Sequence, residues 1–61
     1  MPIINVKMIT GRSQEQKKEL VDVLTRETAR ILETKAESVS IVIDEYSRDN
    51  WARTGKLFSD K

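Results

Sequence analysis

Few groups in this sequence of 61 residues could do chemistry near neutral pH, because it contains no histidine and no cysteine. Histidine is the commonest general base in that range, and cysteine is a common nucleophile. A remaining candidate is Pro2, whose nitrogen becomes a secondary amine if Met1 is removed. Burial and nearby cations lower the pKa of an amine, which can then act as a general base or a nucleophile. With Met1 attached, the same nitrogen is a tertiary amide and takes up no proton.

Arg12 is the second candidate, because its planar guanidinium can bind a carboxylate through two hydrogen bonds. It lies where a predicted strand gives way to a predicted helix, and ligands of parallel sheets bind at such strand ends. Pro2 is at the other end of the same strand, and about seven residues at 3.3 Å each separate the two by roughly 23 Å. We therefore expect both residues to reach one substrate only if a neighbouring chain supplies one of them.

The elements that position these residues can be read from the periodicity. Ile3 to Ile9 alternates with period two and predicts a strand. Ser13 and Gln16 form a capping box before a predicted helix from Gln14 to about Glu33. Val39 to Ile43 is β-branched and predicts a second strand. The order predicts an α/β fold, in which a βαβ unit has two parallel strands and one long helix on a single face of the sheet.

The helix prediction depends on one apolar stripe at three- and four-residue spacing, formed by Leu20, Val21, Leu24, Thr28, Ile31 and Leu32. Beyond the second strand, Ser47 to Asn50 predicts a turn, and Trp51 to Leu57 predicts a short C-terminal hairpin or arm. The three aromatic residues Tyr46, Trp51 and Phe58 cluster in this region. Such clustering indicates an interface or the wall of a pocket.

Length and composition predict a single domain over residues 1–61 that assembles with further copies. A chain of this size buries only about 60% of its unfolded surface and needs a disulfide, a metal or association for stability. Cysteine is absent and the helix covers one face of the sheet, so we expect an obligate homo-oligomer whose sheets join across chains.

The net charge of +1, from 11 basic and 10 acidic residues without a basic cluster, predicts neither nucleic-acid nor membrane binding. No run of about 20 apolar residues and no signal peptide is evident, which leaves the cytoplasm as the default location. We also expect no metal and no cofactor.

The residues alone leave several interpretations open. Taken singly, Pro2 and Trp51 are more often structural, and Arg12, Arg48 and Arg53 are more often solvated surface charges. An interaction module without catalysis therefore remains an alternative. A ribbon-helix-helix DNA-binding dimer is a weaker one, since it requires a second helix where the β-branched residues predict a strand, and a larger positive charge.

Taken together and in order, several segments carry a resemblance that covers essentially the whole chain. They are Pro2-Ile3-Ile4-Asn5-Val6-Lys7-Met8, Gly11-Arg12-Ser13, Glu15-Gln16-Lys17, Ser38-Val39, Ile41-Val42-Ile43-Asp44-Glu45, Asp49-Asn50-Trp51-Ala52 and Gly55-Lys56. The chain resembles the 4-oxalocrotonate tautomerase family of the tautomerase superfamily. This resemblance implies a βαβ subunit, dimers that join sheets, and a homohexamer formed as a trimer of dimers.

The resemblance also implies an activity and the residues that perform it. Members isomerise keto–enol pairs or double bonds of 2-hydroxy or 2-oxo unsaturated acids, with the processed N-terminal proline as general base. By position, Pro2 is that base, Arg12 binds a substrate carboxylate from a neighbouring subunit, and Trp51 forms an aromatic wall near the proline. No cofactor is implied, because the substrate carbonyl is its own electron sink. Some superfamily members instead add water to unsaturated or halogenated acids, which gives a hydratase or dehalogenase alternative.

Ser40 departs from the family pattern. It stands where the founding enzymes carry a second arginine that binds the other end of a dicarboxylate, and its hydroxyl offers substrate no charge. Losing such a charge-assisted contact costs about 1.5–3 kcal/mol, or roughly tenfold to a hundredfold in rate. Ser40 therefore weighs against a diacid substrate more than against tautomerase chemistry, and Arg48 or Arg53 is a candidate to supply the missing charge.

Overall fold

Two parallel strands and one long helix form the body of the chain in the computed structural model, which describes residues 1–60. Strand β1 (Ile3–Ile9) is followed by helix α1 (Gln14–Leu32) and by strand β2 (Ser40–Tyr46). The strands pair in parallel, with Ile3 opposite Ser40 and Ile9 opposite Tyr46. The predicted βαβ order is confirmed.

Strand β2 is longer than the sequence pattern predicts. It begins at Ser40 rather than at Val39 and runs to Tyr46, three residues beyond Ile43. The additional residues have cross-strand partners, since Asp44 lies opposite Lys7 and the backbone N–H of Thr10 donates to the Tyr46 carbonyl at 2.9 Å. Polar cross-strand pairs stabilise a strand as apolar ones do, so β2 continues where the apolar run ends.

The ends of helix α1 follow from local hydrogen bonds. The Gln16 backbone N–H donates to the Ser13 hydroxyl oxygen at 3.1 Å, and the Ser13 N–H donates to the Gln16 side-chain carbonyl at 2.9 Å. This is the predicted capping box. At the other end Glu33 is left-handed, with φ 52°, and stops the helix. Asp22 and Arg26, four residues apart on the helix, also form an ion pair at 3.3 Å.

The helix covers one sheet face, and the single chain leaves much apolar surface exposed. Among residues 1–60 none is fully buried, and Ile3 on the opposite face is 68% exposed. Ile31 and Leu32 belong to the predicted apolar stripe yet are 63% and 57% exposed. A 19-residue helix is about 28 Å long and a seven-residue strand about 23 Å, so the helix is longer than the sheet that it covers.

The C-terminal segment is the predicted hairpin. A 3₁₀ turn over Arg48–Asn50 leads from β2 to strand β3 (Ala52–Arg53), which pairs antiparallel with strand β4 (Lys56–Leu57). Thr54 and Gly55 between them have φ of 55° and 76°. Positive φ at both loop residues is the geometry of tight hairpin turns that match the strand twist. The turn returns the chain toward the carboxyl end of β2.

Candidate active site

Pro2 and Ser40 lie together at the amino end of the sheet. The Ser40 backbone N–H donates to the Pro2 carbonyl at 3.0 Å, directly before the strand pairing of Ile3 with Ser40. Pro2 is half-buried, whereas Met1 before it is 93% exposed. The strand pairing therefore fixes the position of Pro2, while Met1 contributes little packing.

Arg12 lies at the opposite, carboxyl end of β1. Gly11 turns the chain from the strand toward the helix with φ 129°, a conformation that residues with a Cβ rarely adopt. Ser13 then caps α1, so Arg12 is held between a glycine turn and a helix start. Seven strand residues at about 3.3 Å each place it roughly 23 Å from Pro2 in the same chain.

A cavity of about 280 Å³ opens beside Arg12. Its walls are formed by the loop after β1, by the 3₁₀ turn after β2 and by the C-terminal segment: Ile9, Thr10, Gly11, Arg12, Arg48 and Phe58. Two guanidinium groups and no carboxylate line it. The cavity therefore favours an anion.

Phe58 organises the arginines at this end of the molecule. The Cζ atoms of Arg48 and Arg53 lie 5.7 Å and 5.0 Å from the centre of its ring. These are cation–π distances, and they hold both side chains over one aromatic surface. The Phe58 backbone N–H donates to the Trp51 carbonyl at 2.8 Å, which fixes the Phe58 backbone relative to the hairpin.

Trp51 belongs to the same end of the sheet. Its ring lies 6.0 Å from that of Tyr46, at an angle of 56°, and its side chain is half-buried. Within one chain Trp51 therefore lies near the carboxyl end of β2 and away from Pro2. Any contact between Trp51 and Pro2 requires a second chain, as for Arg12.

A polar cluster on the open sheet face was not singled out from the sequence. Asp44 Oδ2 accepts from Asn5 Nδ2 at 3.1 Å and from Lys7 Nζ at 3.3 Å, and Lys7 also donates to the Tyr46 hydroxyl at 3.3 Å. The bond from Asn5, and then that from Lys7, lowers the pKa of the Asp44 carboxyl. The bonds to Tyr46 and Asp44 raise the pKa of Lys7. Aligning the two strands in register would have revealed these neighbours.

The structure therefore divides the predicted site residues into two groups. Pro2 and Ser40 are neighbours at the amino end, and Arg12 and Trp51 lie at the carboxyl end. Within residues 1–60 no three histidine, cysteine or acidic side chains are arranged to hold a metal ion. Over the same residues, no helix has the length and apolarity needed to cross a bilayer.

The chain belongs to the tautomerase family, since the model of that family, described as tautomerase enzyme, matches residues 2–61. A protein named "probable tautomerase" from Halalkalibacterium halodurans is 38% identical over 61 residues, the full length of both chains. The 2-hydroxymuconate tautomerase of Bacillus subtilis is 37% identical over 60 residues, which cover 98% of this chain and 97% of that one.

Solved structures agree in fold. A 4-oxalocrotonate tautomerase homologue superposes with a TM-score of 0.95 at 43% identity, covering all of this chain and 97% of the other. A heterohexamer 4-oxalocrotonate tautomerase from Chloroflexus aurantiacus has a TM-score of 0.93 at 28% identity, covering 98% and 97%. A structure solved for the analysis of trans-3-chloroacrylic acid dehalogenase activity has a TM-score of 0.83 at 32% identity, covering 92% and 97%.

Proposed function

We propose that this protein isomerises 2-hydroxy or 2-oxo unsaturated acids, with Pro2 as the general base once Met1 has been removed. The observation that carries the proposal is the position of Pro2, which is half-buried and tied to Ser40 by a 3.0 Å backbone hydrogen bond. Met1 is 93% exposed, so an aminopeptidase can reach it and its loss removes little packing. The 2-hydroxymuconate tautomerase activity named for the Bacillus subtilis relative supports the reaction class.

The reaction is a proton transfer without net oxidation. The Pro2 nitrogen accepts the proton of the enol hydroxyl and returns it to a carbon of the conjugated system, as the oxygen becomes a carbonyl. Arg12 binds the substrate carboxylate through its guanidinium. Trp51 shields the site from water, and Ser40 offers a neutral hydroxyl beside the base. The chain requires no cofactor for these steps.

The site is assembled from more than one chain in this proposal. Pro2 and Arg12 lie roughly 23 Å apart along β1, too far for one small acid to contact both. Exposed Ile3, Val42 and Ile31 provide apolar surface for neighbouring subunits. We propose a homohexamer built as a trimer of dimers, which the hexameric assembly named for the Chloroflexus aurantiacus neighbour supports.

Hydration or dehalogenation of an unsaturated acid is the second candidate. The structural neighbour linked to trans-3-chloroacrylic acid dehalogenase activity favours it, at 32% identity. That chemistry requires an amine that stays protonated and water that reaches the substrate. A catalytically silent interaction module of the same fold is the third, and it follows if Met1 stays attached.

An assay on protein whose intact mass proves the loss of Met1 tests the proposal. We expect ketonisation of 2-hydroxymuconate or of an aryl enolpyruvate above the buffer rate, and we expect Pro2→Ala to lose about a hundredfold or more. Protein that retains Met1 is the matched control, since it keeps every side chain and lacks only the free amine. Activity equal to buffer with both substrates would exclude tautomerisation of these enols. Full activity in Pro2→Ala would assign the base elsewhere.

A further inference from the structure

The cavity at the carboxyl end contains a second arginine for which the family comparison gives no role. Arg48 lines the same 280 Å³ cavity as Arg12, and both side chains are exposed. Within residues 1–60 neither guanidinium forms an ion pair, whereas Arg26 and Arg30 on α1 pair with Asp22 and Glu27 at 3.3 and 2.7 Å. The N–H donors of Arg12 and Arg48 are therefore free of acidic partners within the described residues.

We propose that Arg48 acts with Arg12 to bind the 2-oxo carboxylate end of the substrate, and so selects monoanionic 2-oxo acids with an uncharged tail. This proposal rests on the proposed function, because it concerns the same site. Arg48 is here a substrate-binding and specificity-determining residue.

The neighbours that hold Arg48 in position carry no negative charge. The 3₁₀ turn closes with the Asn50 N–H donating to the Ser47 carbonyl at 3.0 Å, directly around Arg48. The Arg48 Cζ then lies 5.7 Å from the Phe58 ring centre. A cation attracted to an aromatic ring is held without being neutralised. The charge of Arg48 stays available to a ligand.

Two guanidinium groups on one cavity repel each other in the absence of an anion. A bound carboxylate removes this repulsion and accepts hydrogen bonds from both groups. A 2-oxo acid matches two arginines better than a simple carboxylate does, because its carbonyl oxygen lies beside the carboxylate and offers a further acceptor. As the enol loses its proton to Pro2, the oxygen gains negative charge, and Arg48 is placed to stabilise it.

The other end of the sheet indicates what the substrate tail is. Pro2 and Ser40 have uncharged side chains, and Ile3 beside them is 68% exposed. The side chains of Pro2, Ile3 and Ser40 offer no cation to a second carboxylate at that end. The cavity of about 280 Å³ is also slightly smaller than typical ligand pockets of about 300–1,000 Å³, so it suits one end of a substrate whose tail lies against another chain. An aryl or alkyl tail fits this arrangement.

Arg53 provides a matched control for Arg48. It lies over the same Phe58 ring, at 5.0 Å, but it does not line the cavity. Arg48→Gln and Arg53→Gln remove the same charge from the same aromatic surface. A general electrostatic or folding effect changes both variants alike, while a direct contact with substrate changes only the first.

The experiment measures KM and kcat for phenylenolpyruvate, and the dissociation constant of phenylpyruvate by NMR titration, on mass-verified protein without Met1. We expect Arg48→Gln to raise KM and the dissociation constant about tenfold or more, Arg48→Lys to recover part of the loss, and Arg53→Gln to stay within about threefold. Equal effects of Arg48→Gln and Arg53→Gln, or no effect of Arg48→Gln, would overturn the assignment.

The two proposals fail in different ways. If Pro2→Ala abolishes turnover while Arg48→Gln matches wild type, the tautomerase function stands and the role of Arg48 falls. If wild type shows no turnover, the proposed function is wrong. The dissociation constant of phenylpyruvate still tests the role of Arg48, because binding requires no catalysis. A titration with 2-oxoadipate tests the monoanion preference: binding tighter than that of phenylpyruvate would contradict it.

Discussion

The two ends of the β1–β2 sheet differ in the chemistry that they present. At the amino end, Pro2 and Ser40 are joined by a backbone hydrogen bond and stand next to the exposed Ile3, with no charged side chain among them. At the carboxyl end, Arg12 and Arg48 line one cavity without a carboxylate. One end suits a neutral amine, and the other suits an anion.

In the proposed function, each end of the sheet contributes half of the active site. An amine that acts as a base must be uncharged and partly desolvated, whereas an anion-binding group must keep its charge. Placing both along one seven-residue strand separates them by roughly 23 Å. Only a neighbouring chain can bring the two ends together, so the proposed chemistry requires at least two chains.

Mixing two inactivated variants, one altered at each end of the sheet, is the strongest test of this arrangement. Pro2→Ala should lose about a hundredfold or more in rate, and Arg12→Gln about tenfold to a hundredfold. If the two residues act from different chains, oligomers refolded from an equal mixture contain intact sites. Roughly one site in four then combines an intact Pro2 with an intact Arg12, and activity exceeds the sum of the two parents. Steady-state turnover of the refolded mixture measures this.

The control is the same mixture combined without unfolding, which should stay at the parental sum until subunits exchange. Mixed oligomers are verified by native mass spectrometry with one parent labelled with nitrogen-15, because the two substitutions alone change the subunit mass by nearly the same amount. Verified mixed oligomers with no gain in activity would mean that Pro2 and Arg12 do not share a site across chains.

Adding a charge at the neutral end should change substrate choice. Ser40 is exposed and lies beside Pro2, so Ser40→Arg places a guanidinium near the base without burying it. A second carboxylate would gain a charge-assisted contact there. We expect kcat/KM for 2-hydroxymuconate, relative to that for an aryl enolpyruvate, to rise about tenfold. Steady-state kinetics with both substrates measure the ratio.

Ser47→Arg is the matched control for this change, because Ser47 is exposed and adjoins the arginine-rich turn at the opposite end. It adds the same charge where positive charge is already abundant, so the substrate ratio should stay near that of wild type. An equal rise of the substrate ratio in both variants would show that net charge causes the effect. The different chemistry of the two sheet ends would then not explain substrate specificity.

Most of the fold could be predicted from the sequence because its signals are local. The alternation from Ile3 to Ile9 and the capping box at Ser13 give the bounds of β1 and the start of α1 as the structure has them. The end of β2 could not be predicted in the same way. Asp44 and Tyr46 are polar or amphipathic, and they extend the strand through cross-strand contacts that only the register reveals.

The candidate site was predictable only in part. Strand length alone indicates that Pro2 and Arg12 are far apart in one chain. The sequence offers Arg48 and Arg53 as sources of charge, but their joint contact with Phe58 leaves no periodic pattern in it. It depends on the hairpin folding back, with the Phe58 N–H on the Trp51 carbonyl. Contacts made by irregular segments cannot be read from spacing.

The polar cluster of Asn5, Lys7, Asp44 and Tyr46 should give a small pH dependence of stability. The pKa of Asp44 is lowered in the folded chain, so its contribution is present above the ordinary carboxyl value, near pH 4, and is lost as pH falls through the lowered pKa. The pKa of Lys7 is raised, so its contribution is complete below its ordinary value of 10.5 and is lost as pH rises further. All four side chains are partly or largely exposed, and salt should weaken both effects.

Asp44→Asn should therefore flatten the acid limb of the stability curve, measured as the urea midpoint between about pH 5 and pH 3. Glu37→Gln is the control, since Glu37 is exposed and forms no ion pair within residues 1–60, and it should leave that limb unchanged.

Tyr46 links the cluster to Trp51 at the carboxyl end, so Asp44→Asn should weaken phenylpyruvate binding slightly and leave the hydrogen bond between Ser40 and Pro2 intact. Amide hydrogen exchange in Asp44→Asn measures this. If exchange at Ser40 accelerates as much as exchange at Phe58, the two ends of the sheet unfold as one unit, and they differ in chemistry but not in local stability.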